Sequence, residues 1–531
     1  MDRIPVESFT EAERAQLAPH FTNLDGPVFA LVNLPEVVKA ALFARYSRSR
    51  NSLRRLFLDE FVDQVAGGAA ARTGEERAER LMDRVFLEYG DDSVAQLAGV
   101  HLACEGVSNV ATKLLERGRL MAYLEQSTRY IPYTDRPGGC FRYHTPAELD
   151  DRPELHDRYR ATLDRAFETY VALMEPVRQH VLHDFPRDPE TPAAAHERAV
   201  QARTLDVVRG LLPAATRSNV GIFGSPQAYE ALVLRLRAHP LAEARDLAEA
   251  ILVELRAVVP AFTRRLDQPE RGGVWTAYLE STRSATAAVA SRLLRDEAGD
   301  PAPEVALTEF DPEGEDKVLA AVLYPHAAVP DSRLLALVRS LSAADRTAVL
   351  RAYVGERANR RHKPGRAFER TAYRFDVLTD YGAFRDLQRH RLLTIEWQPL
   401  SPAHGYRVPA EVEAVGVTQR WRQVMDEAAS LHDAIADVGL RPVAAYAVPM
   451  AYRIRFAVQL NAREAMHLIE LRTSRQGHAS YRRVCQEMYR QIAEVAGHRT
   501  LASAMSFVDL TPAGLERLEA ERHAERRRRS S

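Results

Sequence analysis

Two arginines one residue apart, Arg117 and Arg119, precede a run of hydroxyl and basic side chains, Ser127, Thr128, Arg129 and Tyr130, in the stretch RGRLMAYLEQSTRY. Read as a helix entering a polar loop, it sets fixed positive charge beside hydroxyl and backbone N–H donors, a set suited to phosphate or another oxyanion. Successive helical residues are rotated by about 100°, so the two guanidinium groups cannot share a face, and something that bridges them is expected. A solvated helix end, with basic side chains meeting the C-terminal macrodipole, explains the same residues. Taken alone, the stretch fits that second explanation better.

The chain around it has 531 residues, more than one hydrophobic core ordinarily serves, so two or more domains are expected. Hydrophobic residues make up 46% and charged residues 27%, as in an ordinary soluble protein, and a formal charge of -1 gives no global pull toward nucleic acid or anionic lipid. Any anion site is therefore local. No run approaches the roughly 18 uncharged apolar residues of a membrane span, and the N-terminus MDRIPVESFTEAERAQL lacks an apolar core segment, so a cytoplasmic protein without membrane partners is expected. Cys104, Cys140 and Cys485 are far apart, which argues against both a disulfide framework and a zinc cluster. No metal site is expected. Cys104 and Cys485 fall in helical patterns and read as small core residues.

Most segments show helical spacing, as in LPEVVKAALFARYSRSRNSLRRLFLDEFVDQV and AEARDLAEAILVELRAVV. VAAYAVP and MAYRIRFAVQL, around 443–460, read as strands, which makes the fold class α+β and helix-rich. The two halves look related, with chance similarity of two arginine-rich helical halves as the alternative on periodicity alone. LLERGRLMAYLEQS in the first matches LQRHRLLTIEWQPLS in the second, and ALVLRLRAHPLAEAR matches HLIELRTSRQGHASYR, each with Leu-Arg and a further arginine ten residues on. Arg235 and Arg245 thus answer to Arg472 and Arg482. The expected organisation is a first repeat over 1–291 with an inserted helical segment at about 141–200, a Gly-, Pro- and acid-rich linker at 292–317, and a second repeat over 318–531 ending in a charged tail.

At these residues the sequence resembles the flavin-dependent thymidylate synthase family, whose signature is Arg-His-Arg, seven residues, then Ser, with an Arg-Tyr pair just after. The first half supplies Arg117-Gly118-Arg119, seven residues, Ser127, then Arg129-Tyr130, with glycine for the histidine. Upstream, YGDDSVAQL resembles a Ser-Val-Leu-Glu-His run of the family, with Gln96 in place of the Glu. The second half keeps Arg389-His390-Arg391, has Glu369 six residues before Phe375, and carries NAREAMHLIELR, similar to the family's Asn-Ala-Arg segment. Its loop departs: Pro399 stands where the spaced serine falls, and Ser401 comes two residues later.

The resemblance implies two copies of the family fold and an enzyme that converts dUMP to dTMP, taking the one-carbon unit from methylenetetrahydrofolate and the hydride from FAD, with NADPH as reductant. No enzymic thiol attacks the ring in that chemistry, which suits these cysteines. It implies that Ser127, Thr128 and Arg129 hold the nucleotide phosphate and that Glu125 meets ribose or flavin. Arg117 and Arg119 would lie between flavin and nucleotide. Arg389, His390, Arg391, Asn461 and Arg472 would bind the flavin. Arg245 and Arg482 would contact the pyrimidine, and with Arg119 and Arg391 would stabilise charge developing on it. Leu241 and His478 replace a family Gln there, and Ser480 replaces a Glu kept as Glu243, so the nucleotide's identity stays open. The family's tetramers imply a homodimer of the fused chain, with composite sites.

Plainer roles account for several of these residues one by one. His390 can be a surface histidine, Asn461 an N-cap, Glu369 a helix-face partner of Arg366, and Ser127 the start of a turn. Tyr130 and Tyr406 read as packing residues with a hydrogen-bonded tip. Because both repeats depart from the signature, two other functions stand beside the synthase: a repurposed or non-catalytic nucleotide- and flavin-binding paralogue, and a flavin-dependent enzyme acting on another pyrimidine nucleotide.

Overall fold

The computed structural model describes residues 7–46, 49–62, 96–295 and 302–512, together with positions 518, 521 and 522. Helices α1 (Glu11–Leu17) and α2 (Glu36–Tyr46) come first, and α1 opens on a complete capping box in which Thr10 and Glu13 satisfy each other's backbone N–H. The next group is β1 (Val100–Ser108), α3 (Asn109–Leu115) and β2 (Met121–Glu125), followed by the long helices α4 (Pro153–Asp184) and α5 (Ala193–Val208). Then come β3 (Arg217–Gly224), α6 (Pro226–Arg237), α7 (Ala242–Val258) and α8 (Val274–Leu293). The rest contains β4 (Val305–Phe310), α9 (Gly314–Leu323), β5 (Ala372–Asp380), α10 (Tyr381–Gln388), β6 (Leu393–Trp397), α11 (Thr418–Asp437), β7 (Arg453–Asn461), α12 (Ala462–Arg472) and α13 (Ala479–Glu494).

The duplication is visible in this order. Strand, helix, strand and then strand, helix, helix occur as β1-α3-β2 with β3-α6-α7, and again as β5-α10-β6 with β7-α12-α13. The sheets repeat the pattern: β3 lies between β1 and β2, and β7 lies between β5 and β6, with β4 added at the outer edge of β5. β2 runs antiparallel to β3, and β7 runs antiparallel to both β5 and β6. Helix-starting side chains recur at matching places: Ser108 caps α3, and Asp380 caps α10 through Ala383 N at 2.8 Å.

The chain forms two compact units that do not coincide with the two repeats. One comprises residues 1–105, 120–125 and 219–297; the other comprises 106–119, 126–218 and 298–531. Helix α3 of the first repeat thus belongs to the unit built on the second repeat's sheet. There Asn109 O accepts a 2.9 Å hydrogen bond from the Tyr381 hydroxyl, and Lys113 O accepts one from Gln388 Nε2. Strands β5 and β7 bury Phe375, Val377, Phe456 and Val458 on one face, and Trp421 of α11 is fully buried beneath the Arg209–Leu211 turn that follows α5.

Several sequence expectations need correction. Residues 117–130 are not a helix: α3 ends at Leu115, Gly118 breaks the run, and Met121–Glu125 becomes a strand, its end residues buried and Ala122 and Leu124 exposed. The two arginines therefore sit in a helix-to-strand turn. VAAYAVP is not a strand, because Pro442 pre-sets the first turn of a short helix over Arg441–Ala444, continued by a 3₁₀ turn. Cys104 lies in β1, and Tyr130 is 57% exposed. Of the stretch read as a linker, 292–293 finish α8, VALTEF forms β4, and α9 begins at Gly314; residues 296–301 lie outside the described residues. The charged tail beyond 512 and residues 89–95 of YGDDSVAQL also lie outside them, apart from positions 518, 521 and 522.

A Cβ at Gly210 would stand 2.8 Å from the Trp421 ring and 3.1 Å from Ala451 Cβ. Gly210→Val overpacks this contact, and we expect a lower thermal midpoint, corresponding to about 1–3 kcal/mol, read by circular dichroism.

Candidate functional site

Within the second unit, side chains from five elements converge on two buried carboxylates. Asp206 comes from the last turn of α5, Asp386 from α10, Arg129 from the loop after β2, Arg472 from the end of α12, and His478 and Tyr481 from the start of α13. Arg129 clasps Asp206 bidentately, Nε and Nη2 each at 2.6 Å, and its Nη1 donates to the Tyr481 hydroxyl at 3.0 Å. Arg389 donates to the Asp386 carboxylate, and Arg472 donates to the Asp386 carbonyl at 2.5 Å. The Arg472 guanidinium also lies over the Tyr481 ring, 5.4 Å from its centre. Burial raises the pKa of both acids, but the surrounding arginines outweigh it. Asp206 is held below its ordinary range by Arg129, His478 and Arg209, and Asp386 by Arg389, Arg472, Arg209 and Arg129.

Arg209, which follows α5, behaves differently from its neighbours. It is 4% exposed, and its Nη2 has no hydrogen-bond partner among the described residues. The side chain lines a cavity of about 390 Å³, with Asp206, Asp380, His478, Ser480 and Trp421 among the other walls. Gly382 makes room for it: a Cβ there would meet Arg209 Nη2 at 3.3 Å and Asp380 Oδ1 at 3.1 Å. A buried guanidinium nitrogen without a partner is costly unless something anionic meets it.

The Arg389-His390-Arg391 triplet turns the chain from α10 into β6. His390 is buried, its Nε2 accepts from Arg472 Nε at 3.0 Å, and its Nδ1 lies 3.0 Å from Glu464. Arginine can only donate, so the lone pair sits on Nε2 and Nδ1–H donates to Glu464. Burial, then Arg472 and Arg389, push the imidazole pKa well below the usual value, and burial raises that of Glu464. His467 joins this pair, its ring 5.5 Å from that of His390, and burial lowers it to about 4. The three residues are close enough to hold a metal ion, but both ring nitrogens of His390 are already engaged. Lys363 and Arg360 lie electrostatically close to His467 and have no ion-pair partner among the described residues.

The family model described as thymidylate synthase complementing protein matches residues 36–261 and, a second time, 307–497. The chain belongs to the flavin-dependent thymidylate synthase family. It carries the family domain twice. A UPF0159 protein of Chlamydia pneumoniae is 37% identical over 98% of both chains, and one of Thermoplasma acidophilum is 30% identical over 91% of this chain and 97% of its own. A flavin-dependent thymidylate synthase of a Mycobacterium species is 31% identical over 34% of this chain and 66% of its own.

Of the residues the family resemblance points to, Arg129, Arg389, His390 and Arg472 come together, with Thr128 buried beside Arg129 and Ser127 accepting from Tyr130 N in a turn. The others are engaged differently. Arg117 pairs with Glu396 at 2.7 Å over the Trp397 ring, and Arg119 donates to Thr394, both on exposed side chains along β6. Arg391 is exposed, and its charge opposes only in part the rise that burial gives the pKa of Glu464. Asn461 caps α12 by accepting from Glu464 N, and Glu369 pairs with Arg366 and Arg463. Arg482 is 2% exposed and ties Thr473 O to Thr511 O. Arg245 and Glu125 belong to the other unit, where Arg245 donates to His239 O and Pro240 O and Glu125 ends β2 opposite Val220. Sequence reading passed over Arg209, Asp206, Asp386 and Tyr481. One signal was available for the first two: an Asp and an Arg three apart inside the apolar run TLDVVRGLL, where charges need a reason to be.

Two predictions follow from the charges. Asp206→Asn leaves Arg129 buried without its counter-ion, and we expect a loss of about 3–5 kcal/mol in urea unfolding. His467 and His478 both have folded values of about 4, against about 6.5 unfolded. Between those values the unfolded chain binds protons that the folded chain refuses, so stability falls as pH falls from about 6.5 to about 4. The depressed Asp206 and Asp386 add a second loss only below the unfolded carboxylate value of about 3.9. Thermal midpoints against pH should show both stages, and His467→Asn should flatten the first.

Proposed function

We propose that the protein is a flavin-dependent enzyme that modifies a pyrimidine nucleotide, with dUMP as substrate, methylenetetrahydrofolate as one-carbon donor and NADPH as reductant. The observation that carries this reading is Arg209 in the cavity wall, buried, with its Nη2 lacking a hydrogen-bond partner among the described residues. Arg203, Arg209, Arg407, Arg453 and Arg483 outnumber Asp206, Glu304, Asp380 and Glu411 in the cavity wall, a balance that suits a phosphate monoester, which carries about −1.5 to −2 near neutral pH. Arg209 would meet the phosphate directly, while Arg129, bound to Asp206, supports it from behind.

The residues around the second triplet fit a flavin's phosphates. Arg360 and Lys363 have no ion-pair partner among the described residues, Arg391 is exposed, and His390 stays neutral, while burial raises the pKa of Glu464, the acid beside them, so this side is rich in cations. We assign FAD to Arg389, His390, Arg391 and Arg472 together with Lys363. Reduced FAD would supply the hydride there. The protein's part is to bind and orient: Glu464 and Arg472 fix the imidazole tautomer, and the arginines favour negative charge developing on the pyrimidine oxygen. A homodimer of the fused chain and a cytoplasmic setting complete the reading; among the described residues no helix is long and apolar enough to cross a membrane.

One observation favours a second reading, a paralogue that binds nucleotide and flavin without turning them over. Arg482 and Arg245, the residues expected to reach the pyrimidine, are both occupied with backbone carbonyls. Turnover of dUMP with methylenetetrahydrofolate and NADPH, followed by product mass, separates the two. For the shared part, we expect purified protein to bind FAD with a flavin spectrum, and Arg209→Gln to weaken calorimetric dUMP binding by about one to two orders of magnitude with an unchanged fold. Equal affinities for wild type and variant exclude Arg209 as the phosphate contact.

A further inference from the structure

Helix α8 runs for 20 residues, VWTAYLESTRSATAAVASRL, and none of them is buried. Helical stability in proteins comes mostly from packing an apolar face, and beyond its contact with α6 a helix of this length has room for a second one. Such a face exists here. At about 100° per residue, Trp275, Leu279, Thr282, Thr286, Val289 and Leu293 fall within roughly 40° of one line, spaced 4-3-4-3-4. Trp275 is 49%, Val289 48% and Leu293 61% exposed. The two threonines do not make the stripe polar: their hydroxyls donate to Tyr278 O at 2.8 Å and Thr282 O at 2.7 Å, within the helix, which satisfies those hydroxyls inside the helix. The charged residues of α8, Glu280, Arg283 and Arg292, all lie off the stripe.

We propose that this stripe pairs with the same stripe of a second copy, antiparallel and about a two-fold axis near residue 284. The pattern itself selects that occupant. Reversing the direction of the stripe maps it onto itself, setting Trp275 against Leu293, Leu279 against Val289 and Thr282 against Thr286 of the partner subunit. Bulky residues then meet aliphatic ones at the ends, and small residues meet at the centre, where two backbones approach most closely. This self-complementarity is what an isologous contact requires, and an unrelated partner would not impose it. A membrane surface is disfavoured, because one acid and two bases make no polybasic flank. The inference rests on the homodimer in the proposed function and names the surface that makes it. A single helix pair lies toward the small end of stable interfaces, so the dimer should dissociate within the micromolar range.

Sedimentation equilibrium of the full chain tests this. Leu279→Lys and Val289→Glu should each weaken dimerisation about tenfold or more without altering circular dichroism, since Val289 is exposed and Leu279 only half-buried. The double variant should recover most of the loss, because each lysine then meets a glutamate of the partner subunit twice over in the symmetric pair. A dimer untouched by the single variants, or a double variant no tighter than the weaker single, overturns the α8 contact and leaves the homodimer standing. A wild type that stays monomeric throughout the range overturns both.

Discussion

The second unit is organised around burying negative charge among arginines. Neither Asp206 nor Asp386 could stay ionised in a protein interior by itself, and Arg129 could not be buried so far without an acid. Each therefore fixes the others. Because Arg129 reaches Asp206 from the loop after β2, and Arg472 reaches the Asp386 carbonyl from the end of α12, the ion pairs tie four separate stretches of chain into one rigid polar core. Rigidity of that kind suits a site that must hold charge in place before a ligand arrives, since the cost of orienting the donors is met on folding.

The two repeats have diverged in complementary ways. The second keeps a histidine between its arginines, and that histidine is buried, neutral and locked in one tautomer by partners on both sides. The first has Gly118 there, and its arginines instead reach across exposed side chains of β6. The first repeat contributes Arg129, Asp206 and Arg209, while the corresponding loop of the second holds a proline-led 3₁₀ turn at Pro402–His404. What survives in one copy is what has been lost in the other, and the surviving pieces lie in the same unit.

Much of this was legible in the sequence, and the failures have physical causes. Duplication, helix-rich character and the second triplet were readable because spacing and order survive divergence. Asn461 as an N-cap and the Ser127 turn were readable because those roles depend on local hydrogen bonds alone. The stretch 117–130 was misread because MAYLE has no helix breaker of its own, and its strand state comes from pairing with β3, nearly a hundred residues away. Arg482 looked like a ligand-facing arginine, yet it closes on Thr473 and Thr511, a choice made by chain that follows it. Arg209 was missed for the opposite reason: it sits in an apolar run, and only the cavity reveals what it faces.

Helix α3 belongs to the first copy by sequence and to the second by packing, as do residues 126–218. The second half has thus taken in parts of the first, while the other unit holds nothing of the second repeat, so that a gene split between them would deliver one product lacking walls of its own cavity. A cut between the copies would part Arg209 from Asp380 and His478, so the cavity's wall belongs to the fused chain and to neither half alone.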